Sequence, residues 1–372
     1  MLSLAGIRVL DFSTLLPGPL AGLLLAEAGA DVIKIERPGL GDEMRRYEPR
    51  LGEDAANFVL LNRGKRSIVL DLKAPDALPK LAPLIESADV LIEQFRPGVM
   101  DRLGLGYEAL RQRNSRLVYC SITGFGQYGP RRDMAAHDLN YLAIAGLLSL
   151  TADEAGAPTM PHTPIADIAA GSYPAVINIL LALLQRQRTG SGTYLDVSMT
   201  DNLFVLSYWG LANGFAAGKW PQPGAALTTG GSPRYRLYRT ADGRYLSVAA
   251  IEQRFWDVFC RLIELDPAAR DDARNPAATM TAVTARIGAR PAAHWRRLFH
   301  DKDVCCAVVA SLDEAVRDPH FAARNLFHRR VHAGLGSIPA LPVPITEALR
   351  DPAETKATPR LGMNEDLLAS GL

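Results

Sequence analysis

The chain has 372 residues, of which 48% are hydrophobic and 22% charged, the balance of a soluble enzyme-sized protein with two domains or one large one and ample core. Its 41 Lys and Arg against 40 Asp and Glu leave a formal net charge of +1, which argues against a nucleic-acid or anionic-membrane partner. Four cysteines without a CxxC pair argue against a disulfide framework or a zinc site and point to a reducing, cytoplasmic setting.

The opening MLSLAGIRVLDFS runs directly into a strand pattern, with no basic segment ahead of a long apolar core. LPGPLAGLLLAEAG follows as a turn and helix, and ADVIKIERP as a second strand stopped by Pro38. RSIVLDLK, DVLIEQF and RLVYCSITGFG continue as strands, with DALPKLAPLIESA as a helix between the first two. Short β-branched strands alternating with helices predict a parallel sheet, so the fold class is α/β with a Rossmann-like large domain. The dinucleotide fingerprint is missing: the first turn reads STLLPGPLAG, although Gly18 permits close backbone approach, and Glu36 stands where a ribose-binding acid would sit.

PIADIAAGSYPAVINILLALLQRQRTG predicts a long helix ended by Gly190 and Gly192. It is uniformly apolar for only about two and a half turns, too short to span a membrane. GTYLDVSM is a further strand, and TDNLFVLSYWGLANGFAAG is helical. The Pro/Gly-rich KWPQPGAALTTGGSPRY then marks a crossover. Residues 1–224 are expected to form the large domain, 225–333 a smaller α+β domain, and 334–372 a segment returning to the first. The smaller domain begins with a β-turn-β unit around Asp242-Gly243, and continues with helices in EQRFWDVFCRLIEL and PAAHWRRLFH. DVCCAVVA, holding Cys305 and Cys306, reads as a buried strand.

In an open α/β sheet, ligands bind beyond the carboxyl ends of the strands. Arg37, Lys73 and Arg96 occupy such ends, with Arg102 a little later; Arg63, Lys65 and Arg66 precede the third strand. The set suits a polyphosphate cofactor or plain solvated surface charge. The loop TGFGQYGPRRDMAAHD brings Gly124, Gly126 and Gly129 ahead of His137 and Asp138, so its amides could converge on an anion. Asp138 is a candidate N-cap of the following helix, which displays His137 at the loop tip either as a proton carrier or as a structural histidine. Asp167 sits among Ile165, Ala166, Ile168 and Ala169, where burial would raise its pKa; a helix cap is the alternative. Glu252 opens a helix directly after a strand and by itself reads as a cap. No GxSxG, HExxH or P-loop is present.

The blocks GIRVLDFS, PGP, GADVIKIERP, LNRGKRSIVLDLK, DVLIEQFRPGVMDRLGLG, GFGQYGP, AD and GTYLDVSM together resemble the family III CoA-transferases, a group that also includes racemases of 2-methylacyl-CoA. The resemblance runs over nearly the whole chain. It implies an interlocked homodimer, a substrate carrying coenzyme A, and no prosthetic cofactor or metal. It further implies Arg37 and Arg102 as holders of the CoA phosphates, and Tyr141 and Tyr235 as active-site tyrosines. Asp167 matches the aspartate that transferases use to form an acyl anhydride. His137 with Asp167 matches the racemase pair of proton carriers, and Glu252 the glutamate that supports the histidine. Leu16 stands where formate-type transferases have glutamine, and Thr163 where racemases have asparagine. On this reading His137 and Asp167 exchange an α-proton across the thioester, with the Asp138 N–H on the enolate oxygen. CoA transfer through Asp167 is the alternative.

Overall fold

The computed structural model describes residues 2–153, 156–334 and 336–370; Gly371 and Leu372 of the LASGL end lie outside them. The described residues fall into two compact units: one from residues 1–145, 161–206 and 320–372, the other from 146–160 and 207–319. This division differs from the expected cuts at 224/225 and 333/334. The helical stretch after residue 206 and the segment 146–160 pack with the smaller unit, and the chain returns to the larger unit at residue 320.

The larger unit is built on six parallel strands: β1 (Arg8–Asp11), β2 (Asp31–Glu36), β3 (Arg66–Val69), β4 (Val90–Glu93), β5 (Val118–Thr123) and β6 (Tyr194–Ser198). Their spatial order is β3-β2-β1-β4-β5-β6. The order therefore reverses between β1 and β4, and the crevice beyond their carboxyl ends is where such sheets bind ligands. Both faces are covered, which is why these strands are nearly uniformly buried, charged residues included. Leu10, Ile33, Ile68 and Leu91 pack with Leu81, Leu84 and Ile85 of α2 (Ala77–Ser87). Leu20, Leu23 and Leu24 of α1 (Pro17–Glu27) pack with Phe58 and Val343. The small sheet of Arg330–Ala333, Gly336–Pro339 and Thr355–Ala357 completes this unit.

Two features of the apolar helix depart from expectation. It runs over Ala166–Thr189, 24 residues that include an 18-residue stretch of mean hydropathy 1.6, so by length and composition it could cross a membrane. Ala175, Ile179, Ala182 and Leu183 are nevertheless buried in the unit, while Ile177, Leu181 and Leu184 are exposed. Its first seven residues, Ala166–Ser172, are wound as a π-helix, and Gly190 closes it with φ +75°.

The smaller unit contains an antiparallel sheet in the order Cys306–Val308, Tyr245–Ala249, Tyr235–Arg239. The expected turn at Asp242-Gly243 joins the latter two, with Gly243 at φ +79° and the Thr240 N–H donating to the Arg244 carbonyl at 2.9 Å. Helices Gln253–Leu262, Pro276–Gly288 and Ala292–Phe299 bury Trp256, Phe259, Val283 and Trp295 against it. The sequence pattern does not announce the middle helix: PAATMTAVTARIG is rich in Thr and Ala, and its apolar periodicity is faint. DVCCAVVA is corrected as well. It forms a short edge strand, and Cys305 is exposed with φ +50°.

Candidate active site

The site begins where β5 ends. A side chain at Gly124 would put its first carbon 2.4 Å from the Tyr141 ring, so only glycine lets the ring lie against the loop. Tyr141 is buried, packs edge-on to Phe125 at 5.5 Å, and donates its hydroxyl to the Ala136 carbonyl at 2.8 Å. That bond ties down the residue just before His137. Burial, then the nearby Asp167 charge, pushes the Tyr141 phenol up to about 12.

His137, not Asp138, is the N-cap of helix Asp138–Ile144. His137 has extended dihedrals, its N–H donates to Asn140 Oδ1 at 3.1 Å, and its carbonyl accepts the Asn140 N–H at 2.8 Å. Asp138 is already in helical conformation, so its carboxylate is free for another task. It accepts the backbone N–H of Asp167 at 2.9 Å; burial raises its pKa, and the amides of Asp167, Ala166 and Ile165 oppose that rise. Asp138 thus caps the π-wound segment rather than its own helix. At the far end of that segment, the Ser172 hydroxyl donates to the carbonyls of Pro17 at 2.8 Å and Asp167 at 3.0 Å.

Asp167 itself is partly buried. Desolvation raises its pKa to about 6, the Asp138 charge adds to the rise, and His137 opposes it. His137, Asp167, Tyr141 and Arg96 line one cavity of about 430 Å³, walled by Leu15 and Phe95 among others. It opens at the β1/β4 reversal, since Leu15 follows β1 and Phe95 and Arg96 follow β4. A second cavity of about 440 Å³, also beyond the strand ends, gathers Arg37, Lys73 and Arg102 around apolar Ile35, Leu70 and Leu103. Arg37 is held there by Glu43 and the Gly41 carbonyl, both at 3.2 Å. One cavity thus offers an acid and an imidazole, and the other three cations suited to phosphate oxygens.

The other basic residues do different work. Arg63 pairs with Glu27 at 3.0 Å, Lys65 with Asp11 at 2.9 Å, and Arg66 with Asp31. Arg63 and Lys65 are buried, and burial depresses the Lys65 pKa to about 8. Glu36 is buried too, bound to Arg45 at 2.8 Å and accepting the Ser67 hydroxyl at 2.6 Å, so it is not a ribose ligand in waiting. Gly18 makes its close approach to the Ser13 side chain and not to a ligand cavity. Glu252 and Tyr235 belong to the smaller unit: Glu252 is an exposed N-cap position, and Tyr235 begins a strand and is half-buried.

Leu15 and Gln94 also line the first cavity, and Glu93 lies beside Gln94 in the chain, though the sequence pattern singles out none of them. The signal was present for Gln94, which sits one residue beyond β4 at a strand end. Glu93 is buried, its carboxylate accepts the Phe95 N–H at 2.8 Å, and desolvation raises its pKa to about 7. Among the described residues no group of three His, Cys, Asp or Glu could hold a metal ion, and the cysteines are free thiols.

Comparison with known proteins matches the family model of CoA-transferase family III over residues 4–365. The human alpha-methylacyl-CoA racemase is 37% identical over 331 residues, 88% of this chain and 82% of the relative. The acetyl-CoA:oxalate CoA-transferase of Acetobacter aceti is 34% identical, covering 96% of this chain and 92% of its own. The crystal structure of a CAIB/BAIF family protein from Brucella suis superposes with a TM-score of 0.84 at 29% identity, over 99% of both chains. The β1/β4 crevice, its acid and imidazole, and a family match spanning both units agree: the chain belongs to CoA-transferase family III, the CaiB/BaiF-like superfamily.

Proposed function

We propose that the chain processes acyl-CoA thioesters, and that His137 and Asp167 exchange the proton on the carbon next to the thioester carbonyl. The observation that carries this reading is the lining of one cavity by His137 and by an Asp167 whose pKa is raised to about 6. An acid poised there can both release and accept a proton near neutrality, which an ordinary aspartate does poorly. Coenzyme A lies along the strand ends, with its phosphates on Arg37, Lys73 and Arg102, and its thioester near Arg96 and Tyr141. His137 takes the α-proton from one enantiomer while Asp167 delivers a proton to the other face. In the reverse direction their roles exchange. The Asp138 N–H, in the first helical turn where no intrahelical acceptor exists, stabilises the enolate oxygen; such a donor contributes about 3 kcal/mol. Substrates of this reaction are 2-methylacyl-CoA thioesters. The resemblance adds Glu252 as support for the histidine tautomer, Tyr235 as an active-site tyrosine, and an interlocked homodimer; the exposed Ile177, Leu181 and Leu184 stripe is the kind of face such a dimer covers.

The comparisons favour the second reading more broadly. The matching family model is one of CoA-transferases, and relatives named for oxalate, glutarate and malate CoA transfer stand beside the racemases. In that reaction the Asp167 carboxylate attacks the thioester carbonyl, the C–S bond breaks, and CoA leaves as thiolate while an acyl-aspartyl anhydride forms. One experiment separates the two. A single enantiomer of a 2-methylacyl-CoA is incubated in deuterated water without added carboxylate. Proton exchange gives α-deuterium and both enantiomers. If neither arises, and an added carboxylate is instead converted to its thioester, the reaction is CoA transfer.

A further inference from the structure

Leu15, in the loop between β1 and α1, has φ +63°. A side chain in the left-handed region crowds its own backbone, so such a residue persists only where its surroundings hold it. Three side chains do so. Asp42 Oδ1 accepts the Leu15 N–H at 3.1 Å. Lys34, buried and paired with Asp42 at 2.9 Å, donates to the Ser13 carbonyl at 2.6 Å. Gln94 reaches across from the end of β4: its Nε2 donates to the Thr14 carbonyl at 2.6 Å, and its Oε1 accepts the Gly18 N–H at 3.1 Å. The Gln94 amide therefore clips the loop at Thr14 to the first turn of α1 at Gly18, across the point where the strand order reverses. Leu15 and Gln94 both line the cavity of His137 and Asp167.

We propose that Gln94 is a positioning residue for the acyl-CoA reaction: its amide bridges the Thr14 carbonyl and the Gly18 N–H and holds Leu15 as a fixed wall beside Asp167. The proposal rests on the acyl-CoA reading above, but on neither of its two reactions in particular. A hydrocarbon at position 94 keeps the volume and loses both bonds. A glutamate keeps an acceptor for Gly18 but, when ionised, turns an acceptor towards the Thr14 carbonyl. Misplacement of a wall by a fraction of an ångström affects the reacting geometry more than the distant nucleotide contacts.

The test compares Gln94→Leu, Gln94→Glu, Leu15→Gly and the Leu15→Gly/Gln94→Leu double variant. For each, kcat and KM are measured in whichever reaction the wild type performs, together with CoA affinity by calorimetry and thermal unfolding. Gln94→Leu and Gln94→Glu are expected to lower kcat about tenfold or more with CoA affinity within about twofold. Glycine adopts φ +63° without strain, so in the Leu15→Gly background Gln94→Leu should cost little further, a non-additivity that a purely structural role would not produce. The proposal is overturned if both position-94 variants keep kcat, if their loss adds in full to that of Leu15→Gly, or if kcat falls only in step with unfolding. A wild type that exchanges no α-proton but transfers CoA ends the first reading above and leaves these comparisons intact on the second.

Discussion

The Asp138 carboxylate accepts the backbone N–H of Asp167 at 2.9 Å, joining two acids 29 positions apart in the chain. One aspartate thereby fixes the other's backbone while its charge discourages the other's ionisation. Burial is the larger cause of the raised Asp167 pKa and Asp138 the second. Removing the Asp138 charge while keeping an acceptor oxygen should therefore separate positioning from electrostatics.

Asp138→Asn should move the Asp167 titration towards lower pH while leaving it above the ordinary aspartate range, because burial persists. Under proton exchange, Asp167 must start ionised in the direction where it receives the α-proton, so the wild-type rate should rise with pH through about 6. In the opposite direction it must start protonated, and the rate should fall through the same region. Rate profiles of both enantiomers check the shift, and a limb that stays in place would remove Asp138 from this role.

His137→Ala distinguishes the two reactions by itself. Under proton exchange it should lower α-deuterium incorporation by about 100-fold or more. Under CoA transfer it removes only a residue lining the site, and turnover should fall far less. Asp167→Asn should abolish either reaction, with a loss of about 1000-fold.

In the cavity of the three cations, Arg37 is engaged by Glu43. A phosphate binding there must compete with that carboxylate. Glu43→Gln should therefore tighten CoA binding, by no more than about fivefold because exposed pairs are worth under about 1 kcal/mol. Lys73→Ala and Arg102→Ala should weaken it, with kcat little changed. Calorimetric titration with CoA reads all three.

Glu93 makes a prediction about stability. Its folded pKa is raised to about 7 by burial, against 4.5 for an ordinary glutamate. Below 4.5 the carboxyl is protonated in both states and carries no penalty. Between 4.5 and 7 the unfolded chain loses the proton first, so stability declines as pH rises, and above 7 the penalty is complete. Glu93→Gln should thus gain on the wild type across this window, by on the order of 3 kcal/mol at pH 8. Urea unfolding at pH 5 and pH 8 measures it.

The strands were legible because a sheet covered on both faces leaves short continuous apolar runs, as in VLI and LVYC. The pair His137 and Asp167 was legible from family-like blocks, and the cavity that holds both follows from where β1, β4 and β5 end. Lys34 shows the limit. In a strand pattern it reads as an outward, solvated residue, yet it is fully buried because Asp11, Asp42 and Glu36 close around it. Such a cluster depends on strand order, which periodicity does not carry. The capping of Asp167 by Asp138 was hidden for a similar reason: cap rules are local, and this cap comes from another helix.

The π-wound turns at Ala166–Ser172 have one more consequence. Such a stretch is an ordinary helix carrying a surplus residue, and its wider turns are costly to keep. Losing one residue between Ala166 and Ser172 would restore regular winding, yet it would swing Asp167 about 100° around the axis relative to the packed remainder. A shortened chain could thus fold more comfortably and be chemically blind, and natural deletions here should be rarer than in the loops on either side.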